Sequence, residues 1–229
     1  MIFDPAMRPF PGHFSFVSAI LLTLVGCQQA VQKAARDTVY SAYEMVGVEK
    51  RDLLKRRIAD AKDEQKEASE SFGDALERLR QMYGLKGGAL EKQYRRLQSA
   101  YEHSRGEAEE VRQSIQRMDT VASDLFAEWE REIEEIQSAE FRSRSKVKLH
   151  ETKRRYTDLQ TKLKQSEARM EPVLTKMKDH VLFLKHNLNA QSVASLKSET
   201  QRIEADIQNL LKEMDRSIQE ADQFIKSIE

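Results

Sequence analysis

The residue most clearly placed for chemistry is Cys27, the only cysteine in this chain of 229 residues. It closes the motif Leu24-Val25-Gly26-Cys27, at the end of an apolar stretch that begins at Phe14. That stretch is shorter than the roughly 20 residues that cross a bilayer, and its length suits a secretory signal. The motif predicts a bacterial lipoprotein signal, in which residues 1–26 are removed and the Cys27 sulfur is acylated. The alternative is an ordinary small residue in a cleaved or retained helix.

Two residues near the motif refine this prediction. Asp4 offsets Arg8, whereas a secretory signal normally opens with net positive charge, so translation starting at Met7 would give a more typical signal. Gln28 follows the cysteine. In Gram-negative lipoproteins an Asp at that position commonly favours the inner membrane, so by resemblance Gln28 favours the outer membrane. We therefore expect an outer-membrane lipoprotein that faces the periplasm.

The histidines are the next candidates for chemistry, and their spacing argues against a metal site. None of the four that follow Cys27 has a Glu three residues before it, and no two are four residues apart. His180 alone falls on an apolar seam, where a satisfied core or interface histidine is the expected role. We expect no metal ligand and no cofactor. The histidines are His103, His150, His180 and His186.

No other pattern predicts catalysis. The glycines of residues 84–88 lack the following Lys-Ser/Thr of a phosphate-binding loop, and runs such as Lys153-Arg154-Arg155 and Glu134-Glu135 are typical of solvated helix faces. With 38 basic and 38 acidic residues the chain has no basic footprint for nucleic acid and no polybasic tail for anionic lipid. We therefore predict no enzyme activity, no catalytic residues and no nucleic-acid partner.

The rest of the chain is built for long helices. Pro172 is the only proline after the signal, and no glycine follows Gly106. Apolar residues recur at alternating spacings of four and three, as in helices that pack side by side. Four such seams are present: Leu54 to Met82, Leu90 to Trp129, Tyr156 to Leu184, and Leu196 to Ile228. The first is interrupted only at Gln65, and Trp129 is expected to fill a wide part of the core.

These seams predict an all-α fold: an elongated antiparallel bundle or coiled coil of about four long helices over residues 48–229. Residues 27–47 would form a tether and a short helix. The turns are expected at residues 84–88, 138–145 and 187–192, and Pro172 should kink the third helix without ending it. The first and third turns would then share one end of the bundle, far from the membrane, with residues 138–145 at the other.

The approach to the third turn is apolar on more than one helical face. It contains Val181, Leu182, Phe183 and Leu184, with Leu188 just beyond. One seam cannot bury all of these residues, so the neighbouring turn covers part of the surface or a partner does. We favour the covered arrangement. Phe183 and Leu188 are the candidate partner contacts.

Three stretches resemble a known family. They are residues 47–54 (GVEKRDLL), 84–94 with its LEKQY, and 181–190 (VLFLKHNLNA). Together they resemble a proteobacterial family of helical, often lipoprotein-type proteins classed as a domain of unknown function. The resemblance implies an address and a fold, and no activity.

Three functions remain open. The first is a non-enzymatic envelope lipoprotein that acts as a scaffold, spacer or adaptor for a protein partner or in a homo-oligomer. The alternative is a periplasmic binding module for a small apolar or lipid ligand, and an enzyme has the least support. A continuously packed seam would favour the first, and a pocket with convergent polar groups would favour the others.

Overall fold

The computed structural model describes residues 49–82, 85 and 88–228, which contain five helices. They are α1 (Lys50–Arg80), α2 (Gly88–Glu135), α3 (Ala139–His186), the short α4 (Ala190–Ser195) and α5 (Lys197–Ser227). No strand occurs in these residues. The predicted signal peptide, Met7, Cys27, the short helix of residues 27–47 and most of the 84–88 turn lie outside the described residues.

The four long helices form an antiparallel bundle, which confirms the predicted fold class. Helices α1 and α3 each pack against both α2 and α5. Ion pairs show the directions, because residue numbers rise in one helix as they fall in its neighbour. The pairs are Lys62–Asp222 and Arg80–Glu204 for α1–α5, Arg112–Glu167 and Lys146–Glu134 for α2–α3, and Arg169–Glu213 and Lys176–Asp206 for α3–α5.

The predicted seams form the core of the bundle, since the residues that repeat at spacings of four and three are the ones removed from water. Every residue of the first seam is buried: Leu54, Ile58, Ala61, Gln65, Ala68, Phe72, Ala75, Leu79 and Met82. The second seam is buried from Leu90 to Ala122, the third from Tyr156 to Leu184, and the fourth from Thr200 to Phe224.

The second seam shifts near the end of α2, which corrects one prediction. Leu125 and Trp129 are only partly buried, and Phe126 and Ile133 are buried instead. One cause lies at the start of α1: its first residue, Lys50, pairs with Glu128, so no described residue of α1 lies beside α2 beyond that point. Trp129 therefore does not fill the bundle core.

The hairpin between α2 and α3 extends past the other two helices. Helix α5 ends soon after Phe224, whose ring lies 6.0 Å from that of Tyr156, and α3 begins well before Tyr156. We call residues 129–135 and 139–155, which precede Tyr156 in α3, the α2–α3 extension. From Glu128 to Glu135 it projects about 10 Å beyond the start of α1, at 1.5 Å per residue.

The turns are shorter than the sequence predicts. The prediction that residues 138–145 form a turn is wrong, because α3 begins at Ala139. The Ser138 side chain caps this helix by accepting from the Phe141 N–H, and the Arg142 guanidinium donates to the Ile136 carbonyl at 2.7 and 3.0 Å. These bonds satisfy backbone groups at the helix ends, so three residues are enough to reverse the chain.

At the third turn an asparagine caps each of the two helix ends. The Asn187 N–H donates to the Phe183 and Leu184 carbonyls at the end of α3, and the Asn189 side chain caps α4 by accepting from the Ser192 N–H at 2.9 Å. The turn also contains α4, which the sequence did not predict. Helix α3 continues through Pro172 to His186, as predicted.

Candidate functional site

One site combines a cavity, an exposed phenylalanine and a buried histidine. It lies between α3 and α5, at the end of the bundle where Arg80 pairs with Glu204. There the two helices leave a cavity of about 380 Å³, which we call the α3–α5 groove. Its walls combine apolar and charged side chains from both helices. They include Lys176, His180 and Phe183 from α3, and Glu199, Arg202 and Ile203 from α5.

Phe183 is the exposed apolar residue of this groove. Its side chain is 40% exposed and that of Leu182 is 47% exposed, whereas Val181 and Leu184 are buried. The expectation that the turn covers this surface is therefore wrong for Leu182 and Phe183. Residues 182 and 183 lie outside the faces of α3 that pack against α2 and α5. Leu188 is half-buried in the turn.

His180 is the buried titratable group of the groove. It is 6% exposed, and its Nε2 lies 3.3 Å from the Thr200 Oγ1. Burial lowers the pKa of the imidazole, while a backbone hydrogen bond at Lys176 and the nearby carboxylates of Glu199 and Asp179 act in the opposite direction. Burial in the seam therefore favours the neutral form of the imidazole. The prediction of a satisfied core or interface histidine is confirmed.

The groove is better suited to contact than to reaction. Thr200 and His180 are both buried, so their hydrogen bond joins α3 to α5 and leaves neither group accessible to a substrate. Three of the charged groups on the walls are paired: Lys176 with Asp206, and Arg202 with Glu199. What remains open is the Phe183 ring beside paired charges, a combination found at protein contacts.

A second group of residues lies on the α1–α2 face. Carboxylate oxygens of Glu64, Glu67 and Glu107 lie within 4.8 Å of one another, and His103 Nδ1 is 3.4 Å from Glu107 Oε1. Desolvation, followed by repulsion from Glu67, Glu110 and Glu107, raises the pKa of Glu64. These oxygens are of the type that hard cations prefer, but Glu67 and His103 are exposed. The cluster is a solvated acidic surface.

Sequence reasoning missed this cluster because its members come from two helices. The signal that could have found it is the register of the α1–α2 hairpin. Ser71 lies 3.0 Å from Ser104, and an antiparallel register through that pair places Glu67 opposite Ala108 and next to Glu107. Without the register, these glutamates cannot be distinguished from any other charged helix face.

A polar layer crosses the bundle core at the interruption of the first seam. Gln65 donates through Nε2 to Ser166 Oγ at 2.8 Å, and Ser166 donates to the Leu163 carbonyl at 2.9 Å. All three residues are fully buried. The bond connects α1 and α3, which lie diagonally opposite, so it holds these two helices in a single register.

Comparison with models of protein families identifies the family of this chain. Residues 39–228 match the family described as "Protein of unknown function (DUF2959)". The chain belongs to this family. The match confirms the resemblance to a domain of unknown function. A search among curated proteins found no match.

The DUF2959 match covers every helix of the bundle, the α3–α5 groove, the acidic cluster and the polar layer. Cys27 and its motif precede the matched region. Among the residues that the structure describes, none of the helices is long and apolar enough to span a bilayer. The family description assigns no activity, so the functional argument depends on the residues themselves.

Proposed function

We propose that this protein is a non-enzymatic lipoprotein of the cell envelope, which acts as a scaffold, spacer or adaptor for a protein partner. Acyl chains on Cys27 would hold it at the periplasmic face of the outer membrane of a Gram-negative bacterium. The support for the address is the apolar stretch that ends in Leu24-Val25-Gly26-Cys27, with Gln28 after it.

The observation that carries the proposal is the separation of the chain entry from the groove. The chain enters α1 at Lys50, beside Glu128, and the α3–α5 groove lies near Arg80 at the other end of this helix. Helix α1 has 31 residues, a length of about 46 Å. A protein tethered through the residues before Lys50 would therefore present the groove tens of ångströms from its attachment point.

The packed core supports a scaffold over a ligand-binding module. Side chains that would have to line an internal ligand site pack against each other, and the largest are fully buried. Examples from the four long helices are Phe72, Met118, Leu163 and Ile207. A rigid core of this kind fixes the distance between the two ends.

The anchor is tested by intact-mass analysis of the membrane form. We expect a mature chain that begins at Cys27 and carries acyl groups. Cys27→Ser should leave the precursor uncut or release the protein from the membrane fraction. An unmodified Cys27 on membrane-associated protein would contradict the proposed lipid attachment.

The partner contact is tested by crosslinking in cells followed by purification from membranes. Phe183→Asp or Leu188→Asp should abolish recovery of a protein partner, because a carboxylate would have to be buried at the contact. Leu182→Asp is the matched control for Phe183→Asp, since Leu182 is the neighbouring exposed apolar residue but does not line the groove. Equal loss in all three variants would show that the groove is not the contact.

A further inference from the structure

The first five turns of α3 carry a strong positive charge. Residues 139–155 contain seven basic side chains and two acidic ones, Glu140 and Glu151. The chain as a whole is neutral, so this segment differs sharply from the average composition. The basic residues are Arg142, Arg144, Lys146, Lys148, Lys153, Arg154 and Arg155.

Only part of this charge is neutralised by α2. Lys146 pairs with Glu134 at 2.9 Å, and Lys153 pairs with Glu130. Arg144 reaches only Glu140 of its own helix, at 3.9 Å. Within the described part of the chain, Lys148 and Arg155 have no ion pair, and both are exposed.

Two large apolar side chains are exposed beside these charges. Phe141 is 60% exposed and Val147 is 58% exposed, more than any other large apolar residue described. Phe141, Arg144 and Lys148 follow one another at spacings of three and four, which places them on one face of the helix. An exposed apolar residue between cations is typical of helices that lie on an anionic membrane surface.

The position of the extension fits that surface. It lies at the end of the bundle where Lys50 enters α1, and it projects past that entry. Twenty-three residue steps separate Cys27 from Lys50, and a fully extended chain of that length reaches at most about 80 Å. The extension is therefore within reach of a bilayer that holds Cys27, on the side of the bundle opposite the groove.

We propose that the α2–α3 extension docks on the anionic headgroups of the bilayer to which the protein is anchored. Arg144, Lys148 and Arg155 bind lipid phosphates, and Phe141 and Val147 enter the interfacial layer. The inference rests on the proposed function, because the lipid on Cys27 brings the extension to the surface. The docked extension then holds this end of the bundle at the membrane, with the groove at the other end.

The test uses the lipidated full-length protein in vesicles. Acylation blocks the only native thiol, so a single introduced cysteine can carry an environment-sensitive fluorophore such as NBD. Val147→Cys reports on the extension, and Phe183→Cys is the matched control at the opposite end. The vesicles contain phosphatidylcholine alone, or phosphatidylcholine with 30 mol% phosphatidylglycerol, and flotation measures attachment separately.

We expect a blue shift and stronger emission at position 147 in the phosphatidylglycerol vesicles, and no change at position 183. The response should be lost in Arg144→Gln/Lys148→Gln/Arg155→Gln. It should persist in Lys92→Gln/Arg95→Gln/Arg96→Gln, which removes three basic side chains near the start of α2, at the groove end.

The other outcomes separate this inference from the proposed function. Floating protein with no response at position 147 overturns the docking and leaves the anchor intact. An equal response with and without phosphatidylglycerol also overturns it, as does a response without vesicles that rises with protein concentration, which would identify a second copy of the chain. Protein that does not float overturns the anchor and the docking together.

Discussion

The four-helix section is the part of the bundle in which α1, α2, α3 and α5 lie side by side. Both this section and the α2–α3 extension contain apolar residues among charged ones, but they bury those residues to different extents. In the four-helix section each helix has two neighbours, and seam residues such as Phe72 and Leu163 are fully buried. In the extension α2 and α3 have only each other as neighbours among the described helices, and Phe141 and Val147 are exposed although Ile133 and Leu149 are buried. The number of neighbours therefore decides how much of an apolar pattern becomes core.

Charge differs between the two regions as well. In the four-helix section, the ion pairs between α2 and α3 run in both directions, since Arg112 of α2 pairs with Glu167 and Asp119 of α2 pairs with Lys164. In the extension the acidic residues are on the last turns of α2 and the basic residues on the first turns of α3, an arrangement that opposes both helix dipoles. Cross-helix pairs such as Lys146–Glu134 offset this, so the arrangement gains little stability and leaves α3 free to present cations.

The difference in burial between the two regions is tested most strongly by making the same substitution in both. Phe72→Ala removes a fully buried ring and should lower the free energy of unfolding by about 3–5 kcal/mol. Phe141→Ala removes an exposed ring and should change it by less than about 0.5 kcal/mol. Urea denaturation followed by circular dichroism measures both. Similar losses would show that the extension is part of the core.

The polar layer gives the next largest effect. Ser166→Ala leaves the buried Gln65 amide without its acceptor and should cost about 1–3 kcal/mol of unfolding free energy. Adding Gln65→Leu should restore most of the loss, because no buried donor then lacks a partner. Ser217→Ala is the matched control: that serine is equally buried, but its hydroxyl bonds only within α5. Equal costs for the two serines would reject the cross-bundle role.

His180 predicts a pH dependence of stability in the four-helix section. Its pKa is lowered by burial in the folded state, so below pH 6.5 the unfolded chain binds the proton more readily. The free energy of unfolding should therefore fall as the pH drops from 6.5, and should be unaffected by this group above that value. His180→Gln should remove this contribution, whereas His150→Gln, at an exposed site, should retain it. Chemical denaturation at pH 7.5 and 5.5 gives the two slopes, and identical slopes in both variants would exclude His180 as the source.

Ion pairing in the extension should have the smallest effect. Lys153 and Glu130 are both substantially exposed, and pairs of this kind contribute between about 0 and 1 kcal/mol. A double-mutant cycle with Lys153→Gln and Glu130→Gln measures the coupling, and the same cycle on Lys62 and Asp222 provides the comparison from the four-helix section. A coupling in the extension as large as the loss in Phe72→Ala would contradict the view that its charges are there for contact.

The fold was predictable from the sequence because the core residues of a four-helix antiparallel bundle recur at alternating spacings of four and three. Gln65 and Ser166 could be placed on their seams, and Asn187 and Asn189 in a turn, since periodicity and capping are local properties. The 138–145 segment was misjudged because its serines and arginines resemble a loop. In the structure Ser143 and Arg144 are exposed on a helix, whereas Ser138 and Arg142 make the bonds that close the turn before it.

The features that depend on distance along the chain could not be predicted. Leu125 and Trp129 continue the seam of α2, and nothing local shows that α1 begins opposite Glu128 and leaves them half-covered. The exposure of Phe183 depends in the same way on where α5 begins. The acidic cluster requires the register between α1 and α2. Each of these features depends on how neighbouring helices are aligned along their lengths.

The central claim is that one end of the bundle contacts a protein partner and the other end contacts the membrane. Two phenylalanines, one at each end, test this claim directly. A photoreactive benzophenone amino acid is placed at position 183 in one strain and at position 141 in another, in otherwise native protein in living cells. The account predicts a protein adduct from position 183 that disappears with Leu188→Asp, and a lipid-sized mass increase from position 141. Protein adducts from position 141 with none from position 183 would contradict it.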